Sequence, residues 1–390
     1  MSVPSTSFPL NPSDFTTEID NPFLTWRPGT TFVAKDSDGS RVVTEVTRET
    51  RVVDGVTTVV VRDIAYDGKN VVEDTFDWYA QDRAGNVWYF GEDTTSFEED
   101  GTTSKAGSFE SGVAGARAGI VMLANPEVGD NYFQEQAPGV AEDQATVLSV
   151  DASESVAYGN FVGGLLQTHD FTELDLTALE DKYYAEGIGF VLATTPDGGR
   201  EELISIQEQG TEGDDVLLGY AGAETLIGLA GDDTYTVNDA GDKIVDSDGV
   251  ETVESSISYK LGKGLEHLVL TGDADIDATG NREDNEIVGN AGINSLKGSG
   301  GDDVFHAGDG DTVLDFKPGR DQLSIGELLD LDPGDDVGSF VQLASAGKKS
   351  TIVAIDANGD GSGFTDAAFT VNGKLGTDLV AALESGAFVF

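Results

Sequence analysis

The chain has 390 residues, with 72 Asp or Glu against 22 Lys or Arg, so its formal net charge is −50. This charge excludes nucleic acid as a partner, because phosphate groups are bound by basic surfaces. The absence of Cys excludes disulfides, thiolate nucleophiles and Cys-based zinc sites. Compact folding of so acidic a chain requires neutralising cations, and hard divalent ions are the class that carboxylates prefer.

The N-terminal segment 1–19 lacks the features of a secretory signal. It contains no Lys or Arg and no long apolar run, whereas such a signal combines a charged start with an apolar stretch. No part of the chain reaches the roughly 18 apolar residues of a membrane span. We therefore interpret 1–19 as a flexible segment and predict no transmembrane segment.

Residues 20–209 carry the pattern of antiparallel β-structure. Asp-Gly pairs at 54–55 and 67–68 separate runs that are rich in Val and Thr. An Asp-Gly pair between β-branched runs is a strong hairpin signal, and helical periodicity is weak throughout. These residues are predicted to form an antiparallel β-domain, either a sandwich or an open barrel.

An aromatic hairpin within this region offers candidate sugar-binding residues. Its aromatic residues alternate along two predicted strands, and carboxylates flank them; the residues are Phe76, Trp78, Trp88 and Phe90 with Asp74, Asp77, Glu92 and Asp93. Aromatic platforms with carboxylates can bind sugar rings and cleave glycosidic bonds. The same aromatic residues are more typical of a buried core, so both interpretations stay open.

No hydrolase motif stands out. The chain contains neither GxSxG nor HExxH, which argues against a serine hydrolase and a zinc protease. The three His lie far apart in the sequence. His169, beside Asp170 and Glu173, is a catalytic candidate, although a lone His is more often structural; His306 is predicted to face solvent. We therefore assign no catalytic residue, and the sequence favours a protein that is not an enzyme.

Nine-residue repeats begin at Gly210. Residues 210–236 comprise GTEGDDVLL, GYAGAETLI and GLAGDDTYT, and four further units follow from 280: GNREDNEIV, GNAGINSLK, GSGGDDVFH and AGDGDTVLD. Most units begin with Gly, and each carries a large apolar or aromatic residue at its eighth place. These eighth-place residues are Leu217, Leu226, Tyr235, Ile287, Leu296, Phe305 and Leu314.

This period predicts a solenoid. Six turn-prone residues form a loop, in which Gly supplies backbone angles that other residues resist, and three form a short strand whose large side chain points inward. Two units complete one coil, so residues 18 apart stack. Asp215 and Asp233 are therefore expected to approach each other. Apposed carboxylates repel unless a cation lies between them, and carboxylates with loop carbonyls form an oxygen ligand set that suits Ca²⁺.

The units resemble the nonapeptide repeats of RTX (repeats-in-toxin) proteins, hemolysin-type calcium-binding repeats whose calcium-bound form is a parallel β-roll. The resemblance implies one site between Asp215 and Asp233 and a second between Asn285 and Asp303. A third pairing would join Asn294 and Thr312, which are weaker ligands, and Glu224 replaces Asp in the second unit. The loop glycines that accompany the liganding positions are Gly210, Gly213, Gly228, Gly231 and Gly301.

A further acidic segment, DANGDGSGFTD, occupies 356–366. Asp356, Asn358 and Asp360 match the start of an EF-hand calcium loop. The twelfth place is Ala367 rather than Glu, and both flanks have the pattern of strands. A helix–loop–helix hand and an acidic β-turn, with or without calcium, are the two alternatives.

The C-terminal part of the chain resembles that of proteins exported by type I secretion. DFKPGRDQLSI at 315–325 resembles the segment that closes many RTX rolls. GAFVF at 386–390 suits an uncleaved export signal, although Phe388–Phe390 would equally suit a final core strand. Such an export route explains the missing N-terminal signal.

The predicted fold class is all-β in three parts. An antiparallel domain occupies 20–209, an RTX-like β-roll 210–320, and a capping and type I secretion region 321–390. The segments 76–94 and 182–190 of the antiparallel domain resemble those of uncharacterised bacterial secreted β-rich proteins. This second resemblance implies no activity.

The resemblance implies a secreted, extracellular calcium-binding protein whose roll folds when calcium fills its weak sites outside the cell. Its expected partners are calcium ions, the type I secretion machinery, and extracellular polysaccharide or a cell surface. The preferred role is in a matrix, a surface layer or adhesion. The alternative is a secreted lyase or glycosidase acting on polysaccharide, with its active site in 20–209 and the roll as an export and folding aid.

Overall fold

The computed structural model describes residues 10–98, 100–329, 336–359, 364–373, 375–384 and 386–390. Strands make up 54% of the protein and helices 4%, which confirms the all-β prediction. The chain divides into two units. Unit 1 comprises Met1–Glu208 and Tyr220–Glu224, and unit 2 comprises Gln209–Gly219 and Thr225–Phe390.

Short and long strands follow one another through the first part of the chain, after a 3-10 helix at Pro12–Asp14. In chain order they are β1 (Phe15–Thr16), β2 (Ile19–Asn21), β3 (Leu24–Trp26), β4 (Thr30–Asp36), β5 (Arg41–Val53), β6 (Val56–Asp67), β7 (Asn70–Asp82), β8 (Val87–Phe97), β9 (Thr103–Ser104), β10 (Phe109–Glu110), β11 (Arg117–Met122), β12 (Asn131–Phe133), β13 (Glu135–Gln136), β14 (Asp143–Ser155), β15 (Asn160–Thr172), β16 (Leu179–Ala185), β17 (Gly189–Thr194) and β18 (Arg200–Gln209).

The long strands of unit 1 form an antiparallel sheet. Neighbours in sequence pair from β4 to β8, as the Asp-Gly hairpin signals indicate. The series continues through β11 and the β12–β13 segment to β14, and then strand by strand to β18. Because β18 also pairs with β4, the sheet closes on itself and these strands have no unpaired edge.

The aromatic hairpin belongs to the core of unit 1. Trp78, Trp88 and Phe90 are 3%, 4% and 0% exposed, whereas Phe76 is 37% exposed. The guanidinium of Arg51 lies 3.9 Å from the centre of the Trp78 ring. Burial of such large side chains contributes about 25 cal/mol per Å² of apolar surface. The two indoles are therefore core residues rather than a platform open to sugar.

The second part of the chain consists of shorter strands. They are β19 (Val216–Leu218), β20 (Glu224–Leu229), β21 (Thr234–Val237), β22 (Lys243–Asp246), β23 (Thr252–Ser255), β24 (Tyr259–Lys260), β25 (His267–Leu270), β26 (Ala278–Thr279), β27 (Glu286–Val288), β28 (Ser295–Lys297), β29 (Val304–His306), β30 (Thr312–Phe316), β31 (Gln322–Ser324), β32 (Val341–Ser345), β33 (Ser350–Ile355), β34 (Ala367–Gly373) and β35 (Phe388–Val389). Two 3-10 helices at Gly326–Leu328 and Val337–Ser339 and one α-helix, α1 (Leu379–Glu384), lie among them. In the part of the chain that the structure describes, no helix combines the length and apolar character needed to cross a membrane.

Unit 2 is a parallel solenoid of about seven turns, which confirms the predicted β-roll. One ladder joins β19, β21, β23, β25, β27, β29, β31 and β35, and a second joins β24, β26, β28, β30 and β34. Leu217 pairs with Tyr235, and Ile287 pairs with Phe305. Equivalent residues of successive coils thus stack, and these four side chains are buried.

The last unit of the second array departs from the predicted register. Leu296 pairs with Val313, whereas the regular interval would make Leu314 its partner. Val313 is buried, whereas Leu314 is 42% exposed. The prediction that Leu314 points inward is therefore wrong, because this coil is shorter by a single position than the others in its array. The shift also moves the predicted liganding position of this unit, its sixth residue, from Thr312 to Asp311.

Gly231 lies where successive coils approach too closely for a side chain. Its φ is +110°, and a Cβ atom there would lie 2.5 Å from the carbonyl carbon of Gly213. We expect Gly231→Ala to destabilise unit 2 more than Gly264→Ala. Gly264 has φ +75° but nothing within 4 Å of a Cβ atom, so its variant measures only backbone strain of about 1–2 kcal/mol. Denaturant unfolding in calcium compares the two variants. Equal losses in the free energy of unfolding would contradict the close approach of the coils at Gly231.

Candidate calcium centres

One edge of the solenoid carries a column of acidic and amide side chains. Each immediately precedes a strand of the first ladder; the residues are Asp215, Asp233, Glu251, Glu266, Asn285, Asp303 and Asp321. Asp215 N donates a hydrogen bond to Asp233 Oδ1 at 2.8 Å. Asp233 N donates in the same way to Glu251 Oε2 at 3.0 Å. The coils thus stack carboxylates along one line.

Asp233, Asp246 and Glu251 form a group of carboxylates that could hold a metal ion. One oxygen from each lies within 4.8 Å of the other two. The Tyr235 hydroxyl donates to Asp246 Oδ2 at 2.5 Å. At Gly228 a Cβ atom would lie 2.0 Å from Asp233 Oδ2 and 2.3 Å from Asp246 Oδ2. Only glycine leaves space here for the oxygen atoms to converge.

Asp215 lies beside this group, in contact with Asp233 through its own backbone N–H. Its Oδ2 accepts a hydrogen bond from Thr211 Oγ1 at 2.8 Å. At Gly210 a Cβ atom would lie 2.7 Å from the same Oδ2. The carboxylate is therefore held inside its own loop, one coil before Asp233.

Two members of the Asp233 group, Asp246 and Glu251, were not identified from the sequence. Glu251 could have been found, because it follows Asp233 by the same interval as Asp233 follows Asp215. Asp246 could not be found by that rule. It reaches the group through the parallel pairing of β20 with β22, in which Leu229 is the partner of Asp246.

The second predicted pair is also brought together. Asn285 N donates to Asp303 Oδ1 at 3.2 Å. Asp303 is 0% exposed, and within the described ranges its Oδ2 has no hydrogen-bond partner. A buried polar atom left without a partner costs about 1–3 kcal/mol. A cation at this oxygen removes that cost, so the environment of Asp303 fits a metal ligand.

Gly301 supports the same loop. Its φ is +99°, and a Cβ atom there would lie 2.2 Å from the carbonyl oxygen of Glu283 in the preceding coil. Gly298 at the start of the unit is equally confined, because a Cβ atom would lie 2.0 Å from Asp303 Oδ2. Both glycines let the coils close around the carboxylate.

The third pairing differs from the prediction. Asn294 N donates to Asp311 Oδ1 at 2.8 Å, and Asp311 Oδ2 accepts from Gly308 N at 2.7 Å. Asp311, not Thr312, therefore provides the side chain opposite Asn294, because Leu296 pairs with Val313 in this shorter coil. The shorter coil places a buried carboxylate where the sequence predicted a hydroxyl.

Glu224 is hydrogen-bonded to its own loop and to Tyr158, whose hydroxyl donates to Glu224 Oε1. Its Oε2 accepts a hydrogen bond from Tyr220 N at 3.1 Å, and its Oε1 accepts one from Gly222 N at 3.2 Å. The longer side chain thus folds back onto the loop that precedes it. This arrangement explains how Glu can replace Asp in the second unit.

Burial raises the pKa of four carboxyl groups in the column, those of Asp233, Glu251, Asp303 and Asp321. It raises the pKa of Glu251 to about 7, with repulsion from Asp246 adding to the effect. It raises the pKa of Asp303 to about 6, and repulsion from Asp321 adds there. A divalent cation reverses these shifts because it favours the ionised form. Protons and calcium therefore compete for the same oxygens.

The segment at 356–366 is a connection between strands. Asp356 and Asn358 follow β33, and β34 begins at Ala367 in an antiparallel pair with it. Strands on both sides exclude a helix–loop–helix hand. Asp356 is 1% exposed, and Asp360 lies outside the described residues. Calcium binding by this segment stays a prediction.

The end of the chain is part of the fold of unit 2. Phe388 is 7% exposed, and β35 pairs in parallel with β31 through Leu323 and Phe388. Phe390 is 53% exposed. Phe388 therefore belongs to a final core strand, whereas its use as an export signal stays a prediction.

Unit 1 contains a buried acidic cluster. Asp77 is paired opposite Glu92 across β7 and β8, and Asp63 lies diagonally from Asp77 on the same face. The Tyr89 hydroxyl donates to Asp77 Oδ1 at 2.6 Å and lies 3.1 Å from Glu92 Oε2. Asp77 is 4% exposed. Burial raises the pKa of Asp77 well above its usual value, and the neighbouring Asp63 adds to the shift.

The other candidate residues of unit 1 do not join this cluster. Asp74 accepts a hydrogen bond from Arg62 Nε at 2.8 Å, and Asp93 is paired with Lys105. His169 Nδ1 lies 2.7 Å from Asp181 Oδ1. The structure therefore pairs His169 with a residue on the next strand.

Unit 1 also contains a cavity of about 600 Å³. Asp170, Glu180 and Lys182 are among the residues that line it. Lys182 Nζ lies 3.2 Å from Asp170 Oδ2 and 3.3 Å from Glu180 Oε2. The cavity thus presents ionisable groups that are already paired with one another.

Comparison with known protein families identifies residues 209–235 and 279–314 as RTX calcium-binding nonapeptide repeats, in four copies. These ranges contain Asp215, Asp233, Asn285 and Asp303. No curated protein matches the chain. The family match implies Ca²⁺ as the ion, an ion that the oxygen ligands of the column suit, and the RTX resemblance stated from the sequence is confirmed.

Proposed function

We propose that this RTX-type calcium-binding chain is a secreted protein whose unit 2 folds when Ca²⁺ fills its loops outside the cell. One observation carries the proposal. Three carboxylates, from Asp233, Asp246 and Glu251, converge within 4.8 Å of one another. Carboxylates this close repel strongly unless they share a cation.

The column couples calcium binding to folding. Each site takes ligands from successive coils, so a site exists only where the coils are stacked. An ion that binds the folded state alone adds its binding energy to folding. Sites of extracellular calcium modules have dissociation constants of roughly 10⁻⁴–10⁻³ M. Such weak sites stay empty in the cytosol and fill outside it, which suits export of an unfolded unit 2 by type I secretion.

The test compares the full chain in calcium, in chelator and in magnesium. All three Trp residues of the chain, Trp26, Trp78 and Trp88, lie in unit 1. Trp fluorescence therefore reports on unit 1, while calcium-dependent far-UV circular dichroism reports on unit 2. We expect chelator to abolish much of the strand signal and leave Trp emission little changed, and magnesium not to restore the signal. A far-UV spectrum that is identical in calcium and chelator would contradict the proposal.

Outside the cell, the folded protein is proposed to act as a matrix, surface or adhesion component. Its partners would be polysaccharide or a cell surface. The net charge of −50 favours contact through bridging calcium ions rather than direct contact with anionic groups. The calcium chemistry of the column supports this proposal.

The alternative of a polysaccharide-acting enzyme stays a prediction. The cavity beside Asp170 and Lys182 supports it, since active sites are concave and contain convergent ionisable groups. The burial of Trp78 and Trp88 argues against the aromatic platform on which that interpretation was based. Calcium binding is therefore the better supported function.

A further inference from the structure

Two of the three His residues of the chain meet on one face of unit 2. His267, Glu286 and His306 come from three successive strands of the first ladder, β25, β27 and β29. His267 is the direct partner of Glu286 in the ladder. Glu286 is in turn the partner of Val304. Val304 and His306 lie two positions apart on β29, so their side chains point to the same face of the sheet. The three side chains are thus direct or diagonal neighbours.

One carboxylate links the two imidazole rings. His267 Nδ1 lies 2.8 Å from Glu286 Oε2, and His306 Nε2 lies 2.7 Å from Glu286 Oε1. The side chains of His267, Glu286 and His306 are 32%, 38% and 21% exposed. Each carboxylate oxygen therefore faces a different ring, in a cluster that is half-buried but open to ions.

This cluster is separate from the calcium column. The column residues precede the strands, whereas His267, Glu286 and His306 lie within them. Their positions alternate with Leu268, Ile287 and Phe305, which are buried in the core, so the three polar side chains project from the outer face.

We propose that His267, Glu286 and His306 form a site for a divalent transition-metal ion, with Zn²⁺ as the representative. Imidazole nitrogen with carboxylate oxygen is a ligand set that suits Zn²⁺, whereas Ca²⁺ selects oxygen ligands alone. Three protein ligands leave a fourth position of a tetrahedral ion for water. Two neutral imidazoles and one carboxylate carry a net negative charge, which favours a cation.

Among the described residues, the ligand atoms of His267, Glu286 and His306 do not all lie within 4.8 Å of one another, so metal binding requires these side chains to rotate until they converge. In the structure the carboxylate lies between the rings and is hydrogen-bonded to both. A metal ion replaces these two contacts with bonds from His267 Nδ1, His306 Nε2 and one oxygen of Glu286. The three residues are anchored on hydrogen-bonded parallel strands about 4.8 Å apart, so the backbone can keep its register.

The metal site rests on the proposed function in one respect. Residues 267, 286 and 306 are brought together only by stacking of three coils, and that stacking is what calcium is proposed to drive. By thermodynamic reciprocity, Zn²⁺ bound at this cluster strengthens calcium binding by the same factor as calcium strengthens Zn²⁺ binding.

The test is a Zn²⁺ titration of the full chain by calorimetry, in excess calcium so that the oxygen sites are occupied. Absorption of bound Co²⁺ provides a second readout that is sensitive to nitrogen ligands. The site variants are His267→Asn, His306→Asn and Glu286→Gln. The matched control is His169→Asn, because His169 also contacts one carboxylate, that of Asp181, at 2.7 Å. We expect the three site variants to weaken binding by about tenfold or more and the control to leave it unchanged.

The two proposals fail separately. Far-UV circular dichroism, recorded before Zn²⁺ is added, establishes whether unit 2 is folded in each protein. A folded unit 2 that takes up no Zn²⁺ overturns the metal site and leaves a hydrogen-bonded cluster. Zn²⁺ uptake that none of the three site substitutions weakens also overturns it. Loss of binding in a site variant that keeps the wild-type spectrum supports the site directly.

Discussion

Replacing Asp233 by Asn is expected to weaken calcium binding by unit 2 far more than the loss of a charge elsewhere on the solenoid. Asp233 is 1% exposed and contacts both neighbouring coils. Its Oδ1 accepts from Asp215 N, and its own N–H donates to Glu251 Oε2. The amide of the Asp233→Asn variant would keep an oxygen for the first of these bonds but would place an NH₂ group among carboxylates that bind a cation.

The expected loss of apparent calcium affinity for Asp233→Asn is about 10- to 100-fold, or roughly 1.4–2.8 kcal/mol. Calorimetric titration and the calcium midpoint of the far-UV transition both measure it. Asp273→Asn is the matched control, since Asp273 is an exposed carboxylate of the same unit. Equal shifts in the two variants would mean that only net charge matters and that Asp233 is not a ligand.

A second signature separates a ligand from a purely structural residue. Burial and the charges of Asp246 and Asp215 raise the pKa of Asp233, so ionised Asp233 opposes folding when no cation is bound. In chelator, Asp233→Asn should therefore be no less folded than the wild type. A residue needed only for packing would instead destabilise unit 2 by the same amount in calcium and in chelator.

Regular spacing is what made part of the calcium centre predictable. The constant length of a coil placed Asp215 against Asp233, and Asn285 against Asp303. The spacing rule gave the wrong partner for Asn294. The coil that follows Asn294 is shorter by a single position, and this brings Asp311 rather than Thr312 opposite it.

The cluster of His267, Glu286 and His306 shows the same limit of the spacing rule. Its members are separated by intervals that differ from one regular coil, and two of them are diagonal rather than direct neighbours. Their meeting could therefore be seen only once the coils were in place.

The interior of unit 1 was less accessible to prediction for a related reason. Hairpins such as β5–β6 are local and carry turn signals, but closure of the sheet depends on β18 pairing with β4, which no local pattern encodes. Acidic residues alternating with apolar ones usually indicate a solvated face. Asp77, between Phe76 and Trp78, follows that pattern and yet is 4% exposed, because a closed sheet has only one face in solvent.

Two other carboxyl groups of unit 1, those of the half-buried Glu135 and Glu201, make its stability depend on pH. Burial, with repulsion from Asp143 as the next cause, raises the pKa of Glu135 to about 8. Burial and repulsion from Glu180 raise the pKa of Glu201 to about 7. In the unfolded chain both groups titrate near their ordinary pKa of 4.5. Between the pKa of a group in the unfolded chain and its pKa in the folded unit, the folded unit binds more protons than the unfolded chain. The free energy of unfolding of unit 1 therefore falls as pH rises through this range.

We therefore expect unit 1 to lose stability from about pH 5 to about pH 9. The two pKa shifts taken at face value would amount to about 8 kcal/mol. Because both side chains are only half-buried, solvent screening reduces the expected loss to on the order of 2–4 kcal/mol. Denaturant unfolding followed by Trp fluorescence measures this loss, since every Trp lies in unit 1. Glu135→Gln should flatten the profile and exceed the wild type in stability at the alkaline end, because a neutral amide replaces a carboxyl group that must otherwise ionise in a half-buried site. Glu186→Gln, at an exposed position of the same unit, should keep the wild-type slope. A wild-type profile that is level or rises over this range would show that water or counter-ions screen Glu135 and Glu201, and that their carboxyl groups ionise without cost to the fold.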